Sequence, residues 1–496
     1  MTTRRDLLAG AGAAALATQF PLQAFAQAKD SVVIGMTLEP PTLDPTSGAA
    51  QAIREVVLQN IFEGLVAMDR TGKIVPALAE SWTVSADGLT YTFKLRPNAR
   101  FHDGTPFSAR DVKFSFERAV APDSTNAQRW IFTPIAGIEA PDPVTVTITL
   151  KQPTANFVYG LAWGDAIIVS PATAADNKTR PVGTGPFKFA RWNRGDRLEF
   201  ERNAEYWGPK PALAKAVFRF IGDPQAQVAA LRAGDIDAFT NLSAPEAIPQ
   251  LKADPKLKVT LGKTEGETIL AINNAKAPFS DIRVRQAISH VLDRKTTALG
   301  VYGFDLDYIG SHFSPLHPAY VDLTGTYPVD IAKAKSLLAA AGFPNGFSCT
   351  LRLPPPAYAR RGGEIIAALL AQIGINASIE PLEFPQWLER VFRGKDFDLT
   401  VIAHTEPLDI GNYARDDYYF QYKNPEFKAL MARIDGTLDE AERNRLYGDA
   451  QRMLARDAVN GFLFILPKLT VTKADLEGMW TDWPLPLTPL AEVRWR

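Results

Sequence analysis

The sequence predicts a mixed α/β protein with at least two lobes. Three observations carry that expectation. The chain has 496 residues, enough for two or three separate cores. Several short segments alternate apolar and polar residues with a period of two, the mark of half-buried strands. Between them lie apolar stripes at helical spacing, opened and closed by capping residues. The composition, 46% hydrophobic and 22% charged, is that of a folded globular chain. A formal net charge of −1, with no long run of like charge, argues against a nucleic-acid binder.

The N-terminus is a different kind of segment. Arg4 and Arg5 precede an apolar stretch, Leu7 to Ala17, that is too short to span a bilayer, and Ala24-Phe25-Ala26 supplies a small-x-small cleavage pattern. Residues 1–26 therefore read as a secretory signal, and the arginine pair resembles a twin-arginine signal. The single cysteine, Cys349, allows no internal disulfide and reads as buried packing. With no cysteine beside the cleavage site, the expectation is a protein free in the periplasm without a lipid anchor.

Strands are expected where Tyr91, Phe93 and Leu95 alternate with Thr90, Thr92 and Lys94, and where Val144, Val146, Ile148 and Leu150 alternate with threonines. Ser108 to Asp111 forms a capping box that opens a helix through Val120. Val284, Ala287, Ile288, Val291 and Leu292 share one helical face. Asp330 caps a helix that Gly342 ends, Ile365 to Ile373 forms another ending at Gly374, and Leu446 to Leu454 marks a later one. Turn-prone or proline-broken stretches fall near 122–126, 171–182, 245–258 and 354–356.

Catalytic signatures are sparse. A phosphate loop, a nucleophile elbow, Cys-x-x-Cys and His-Glu-x-x-His are all absent from the sequence. Gly183-Thr184-Gly185 is followed at once by Pro186, so it reads as a turn and not as a loop running into a dinucleotide-binding helix. His102-Asp103-Gly104 reads as a turn. His312 and His317 stand in a proline-containing loop and not one helical turn apart, which disfavours a metal site, and Asp416-Asp417 reads as a solvated loop. No catalytic residue, metal or cofactor is expected.

Several blocks, in order, resemble the peptide and nickel class of periplasmic solute-binding proteins, extracellular family 5, which serve ABC importers. They are Glu39-Pro40-Pro41-Thr42-Leu43-Asp44-Pro45, Ile61-Phe62-Glu63-Gly64-Leu65, Pro76 to Trp82, Phe101 to Val112, Gly183 to Phe187, Asn203 to Trp207, Leu231 to Asp237 and Pro278 to Ala287. The resemblance covers nearly the whole chain beyond the signal. It implies a two-lobed periplasmic-binding-protein fold with a two-stranded hinge and an extra subdomain in the first lobe. The expected division is 27–57, 171–267 and 463–496 for the first lobe, 58–170 for the extra subdomain, and 268–462 for the second lobe. It implies a monomer that binds a small-molecule or peptide ligand between its lobes and hands it to a membrane permease. A periplasmic hydrolase or a ligand sensor on the same lobes are the competing classes.

The resemblance also suggests where the ligand sits. In the family's dipeptide binders an aspartate after a second-lobe strand pairs with the ligand's amino group, and an arginine before the preceding helix takes the carboxylate. Here the matching strand runs from Phe397 to Thr405, Glu406 stands at the expected acid, and Asp409 follows. The arginine-bearing loop is shortened to Pro354–Arg361, so the chain departs from the dipeptide clamp. The expected contacts are Thr46, Ser47 and Gly48 in the first lobe, and Trp387, His404, Thr405, Glu406 and Asp409 in the second.

Overall fold

The computed structural model describes residues 29–405 and 408–496. The expected signal segment lies outside the described residues, as does Glu406.

Three large sheets organise the described residues. The first has seven strands in the spatial order Leu257–Gly262, Lys468–Lys473, Ala238–Phe239, Ser31–Met36, Lys215–Phe220, Arg197–Arg202 and Phe187–Asn193. The second has five, in the order Ile375–Pro381, Phe347–Leu353, Leu399–His404, Glu267–Ile272 and Gly461–Ile465. The third is an antiparallel four-stranded sheet in the order Ala79–Val84, Thr90–Leu95, Thr145–Leu150 and Ile135–Asp142. The two alternating segments anticipated from sequence are neighbours in this last sheet, with Phe93 opposite Val146. Their apolar faces join the first-lobe core, while the second lobe builds its own core on both faces of the five-stranded sheet. That is why Glu267–Ile272 is buried along its whole length and reads as an apolar run without alternation.

Local signals hold the helices as expected. Ser108 and Asp111 form a reciprocal capping box at the start of Ala109–Val120. Asp281 and Asp330 each accept a backbone N–H at the start of Ile282–Val291 and Ile331–Ala340. One helix differs from expectation. It runs over Ala357–Ala371 and therefore begins eight residues before Ile365. The proline run stops at its N-cap, Pro356, where a missing N–H costs nothing. Gly362 and Gly363 lie inside it, and a side chain at Gly363 would meet Leu353 at 2.4 Å. The stretch read as an arginine-bearing loop is thus largely helical.

The chain crosses between the two lobe sheets twice. It leaves the first sheet at Gly262 and enters the second at Glu267, then returns between Ile465 and Lys468. The crossings are tied together: Thr264 Oγ1 donates to the Leu466 carbonyl at 2.6 Å, and Leu466 N–H to the Gly266 carbonyl at 2.7 Å. This is a two-stranded hinge. Away from it the lobes also touch. Ala155 N–H donates to the Asp435 carbonyl at 2.9 Å and Asn156 Nδ2 to the Tyr447 hydroxyl at 2.7 Å.

Gly183-Thr184-Gly185 leads straight into strand Phe187–Asn193. The glycines are there for close approach, since a Cβ on Gly183 would sit 1.9 Å from the Ile61 carbonyl oxygen. His102 lies against the same turn, its ring nitrogens near Gly183 N and Gly185 O at 3.3 and 3.0 Å. Cys349 is buried in strand Phe347–Leu353.

Candidate functional site

A cavity of about 1440 Å³, its mouth included, opens between the lobes. Its first-lobe wall is helix Gln51–Val57 with the segment that follows strand Ala238–Phe239. Helix Gln51–Val57 is held in place by a buried pair, in which Arg54 donates to both carboxylate oxygens of Asp165 at 2.8 and 3.2 Å. That pairing fixes which way the next residue, Glu55, faces. Thr240 lies across from it and donates to Glu55 Oε1 at 2.8 Å. Burial pushes the Glu55 carboxyl up to about 7.

The second-lobe wall is largely aromatic. Trp387 stacks on Phe384 with ring planes 4° apart, and Tyr419 stacks on His404 with planes 1° apart. The Trp387 indole N–H is used internally, donating to Thr400 Oγ1 at 2.9 Å, so the ring offers a face and not a donor. Such apolar walls with a few placed polar groups suit a small organic solute.

Behind this wall lies a buried charged cluster. Glu267 opens strand Glu267–Ile272 and stands directly opposite His404 in the antiparallel register. His312 lies between two carboxylates, with Nδ1 2.9 Å from Glu267 Oε1 and Nε2 2.7 Å from Asp409 Oδ1. The other Asp409 oxygen is 3.1 Å from His404 Nδ1 and accepts from Asn412 Nδ2 at 3.1 Å. His404 Nε2 is 2.8 Å from the Tyr419 hydroxyl. Burial alone would lower the His312 pKa, but the two carboxylates outweigh it and push it up to about 10. Burial raises Glu267 to about 7 against the opposing pull of His312. Asp409 moves the other way, because His312 and His404 together overcome its burial and hold it below the usual carboxylate range. Glu267, His404 and Asp409 offer ligand atoms within 4.8 Å of one another, a spacing a metal ion could use. In this arrangement the imidazolium of His312 already supplies the positive charge.

The sequence-predicted site residues divide into three groups. Trp387, His404, Thr405 and Asp409 all line the cavity, with Thr405 Oγ1 donating across the cleft to Gln51 Oε1 at 3.2 Å. Thr46, Ser47 and Gly48 do not line it, although Leu38 before them and Ala49 after them do. Their polar groups are taken up locally. Thr46 N and Oγ1 donate to Asp44 at 2.9 and 2.6 Å, Ser47 Oγ donates to the Asp44 carbonyl at 2.8 Å, and Gly48 faces Ile53. Arg118 completes that network with bonds to Asp44 and Thr46 at 2.8 and 2.6 Å. Glu406 falls outside the described residues. Asp416 and Asp417 are exposed and paired with Lys428 and Arg415.

Sequence reasoning missed Glu55, Glu267, His312 and Arg415. Glu267 carried a usable signal: an acid at the head of the otherwise apolar run Thr268–Ile272. In the sequence His312 stands beside His317 alone, whereas its partners in the fold, Glu267 and Asp409, come from other segments.

The comparisons with known proteins agree with this geometry. The family model for bacterial extracellular solute-binding proteins, family 5 middle, matches residues 73–424. A glutathione-binding protein, GsiB, from Pectobacterium atrosepticum is 31% identical over 97% of this chain and 96% of its own length. The periplasmic binding protein DppA from Helicobacter pylori, solved with the peptide STSA, superposes with a TM-score of 0.87 at 28% identity, over 94% of this chain and 98% of that one. AgaA from A. tumefaciens R10, solved with agropinic acid, gives 0.86 at 27% identity, over 94% and 99%. Among the described residues no helix is long and apolar enough to cross a membrane.

Proposed function

The chain belongs to family 5 of the bacterial extracellular solute-binding proteins, and from that premise we propose that it captures a peptide or peptide-like solute between its lobes for an ABC-type importer. One observation carries this reading: a cavity is walled by both lobes, with the two hinge crossings behind it. A solute there touches both lobes only when they are closed, so binding and closure are the same equilibrium. Trp387, His404, Thr405 and Asp409 form its second-lobe wall. The relatives' ligands, glutathione, a tetrapeptide and agropinic acid, all carry carboxylates on a small polar frame. The protein acts as a monomer, free in the periplasm after export by the twin-arginine route, and passes its load to a membrane permease.

The test is a titration of the processed protein with reduced glutathione and with Ser-Thr-Ser-Ala. A true ligand at 100 times its Kd raises stability by about 2.7 kcal/mol and compacts the protein in small-angle scattering. Binding without compaction contradicts closure, and no binding by any small peptide contradicts the solute class. For export, replacing Arg4 and Arg5 together with lysine should leave unprocessed protein inside the cell; normal periplasmic protein would refute that route.

A further inference from the structure

We propose that the solute is a zwitterion gripped from opposite lobes, its cationic end by Glu55 of the first lobe and its carboxylate end by Arg415 of the second. The inference rests on the solute-binding reading and deepens it. Among the described residues, four ionisable side chains of His, Asp, Glu, Lys or Arg type line the cavity: Glu55, His404, Asp409 and Arg415. Two are already committed. Asp409 is engaged by His312, His404 and Asn412, and His404 spans Asp409 and the Tyr419 hydroxyl. A carboxylate that has already met its countercharge gains little from a ligand cation.

Glu55 is in the opposite state. It is buried, 7% exposed, and its described hydrogen-bond partner is one neutral hydroxyl, Thr240. Lys468 acts on it at a distance, while the Lys468 ammonium itself donates to the Trp480 carbonyl. A buried carboxyl without a cation in contact is costly when charged, and its raised pKa of about 7 expresses that cost. A ligand ammonium placed against it would supply the missing charge.

Arg415 is the cavity's cation. It is ion-paired to Asp417 at 3.3 and 3.5 Å and donates to Asn412 Oδ1 at 3.3 Å, but the Asp417 side chain is solvent-exposed, so a ligand carboxylate in the cavity can compete for the guanidinium. Its guanidinium lies 5.2 Å from the centre of the Tyr418 ring. The side chain is about one-third exposed, at 37%. A fork of five donors with loose partners on a cavity wall suits a carboxylate. The arginine nearer the helix start, Arg360, is spent on the backbone carbonyls of Pro354 and Leu382. Because the acid stands on one lobe and the base on the other, a zwitterion meets both only in the closed state. That difference in contacts between open and closed forms is what a ligand needs to drive closure.

Chemical blocking of the ligand tests the idea without altering the protein. Wild-type protein is titrated calorimetrically with Ser-Thr-Ser-Ala and Gly-Gly-Gly, each in free, N-acetylated and C-amidated forms. Loss of one charge-assisted contact should weaken binding roughly tenfold to a hundredfold at each end. In Glu55→Gln the cost of N-acetylation should vanish while the cost of amidation remains; in Arg415→Gln the pattern should invert. Unchanged melting of the unliganded variants shows that they fold. Blocked peptides that bind as well as free ones overturn this inference and leave the solute-binding reading intact. So does an N-acetylation cost that survives Glu55→Gln and disappears in Glu406→Gln. Failure of every form, free and blocked, to bind wild type refutes the peptide reading and this inference with it.

Discussion

The loop that leaves the first strand, residues 42–48, and the loop that leaves strand Leu399–His404 both place polar side chains at a strand end near the cleft. In the first, Asp44 is fully buried and gathers the Thr46 and Ser47 donors and the Arg118 guanidinium into one closed network. In the second, His404, Thr405, Asp409, Asn412 and Arg415 reach the cavity wall, braced from behind by His312 and Glu267. The difference teaches that a run of hydroxyls does not mark a ligand loop. What matters is whether a neighbouring charge has already consumed its donors.

The comparison can be broken most forcefully at His312. His312→Asn removes the cation from between Glu267 and Asp409 and leaves two carboxylates buried together. The expected loss of stability is about 3–5 kcal/mol, read from denaturant unfolding. A loss below about 1 kcal/mol would show that the cluster is not held together by charge.

The same cluster predicts a pH dependence. A histidine raised from 6.5 to about 10 in the folded state keeps a proton that the unfolded chain releases. Its stabilisation is therefore complete below pH 6.5 and lost as pH rises toward 10. Glu267, raised from 4.5 to about 7, adds a loss over its own, lower window. Asp409, held low, contributes stability above its ordinary value of 3.8 and loses it on acidification. Between pH 7 and 9.5 the wild type should lose up to about 1.4 kcal/mol per pH unit. His312→Asn should lose the part of that slope that runs up to about pH 10, and equal slopes above about pH 9 would remove His312 as the cause.

The first loop should respond differently. Asp44→Ala strands the Thr46 and Arg118 donors and should cost about 1–3 kcal/mol of stability, yet leave the affinity for a bound peptide within twofold of wild type. A large affinity loss with little change in stability would return this loop to the binding site. Ser47→Ala removes a single hydroxyl and should stay within about 1 kcal/mol with unchanged affinity, checked by the same titration and melting curves.

The helices and hairpin strands were legible because their signals are local. The capping aspartates at 281 and 330, the box at Ser108 and Asp111, and the alternation at Tyr91–Leu95 each act within a few residues. The resemblance located the strand and loop that carry His404, Thr405 and Asp409, while Trp387 is read from its place after a second-lobe loop; all four line the cavity. The start of helix Ala357–Ala371 was misjudged because a proline run reads as a break, although a helix tolerates proline at its first positions. What no local signal could give is which charges meet. Glu267, His312 and Asp409 come from a strand, a loop and a short helical turn far apart in the chain. Glu55 and Thr240 meet across the first lobe, while Glu55 and Arg415 share one cavity from opposite lobes. Sequence alone determined the elements and the family. Tertiary packing decided which buried groups were satisfied and which were left for a ligand, because desolvation and pairing depend on neighbours that folding brings together.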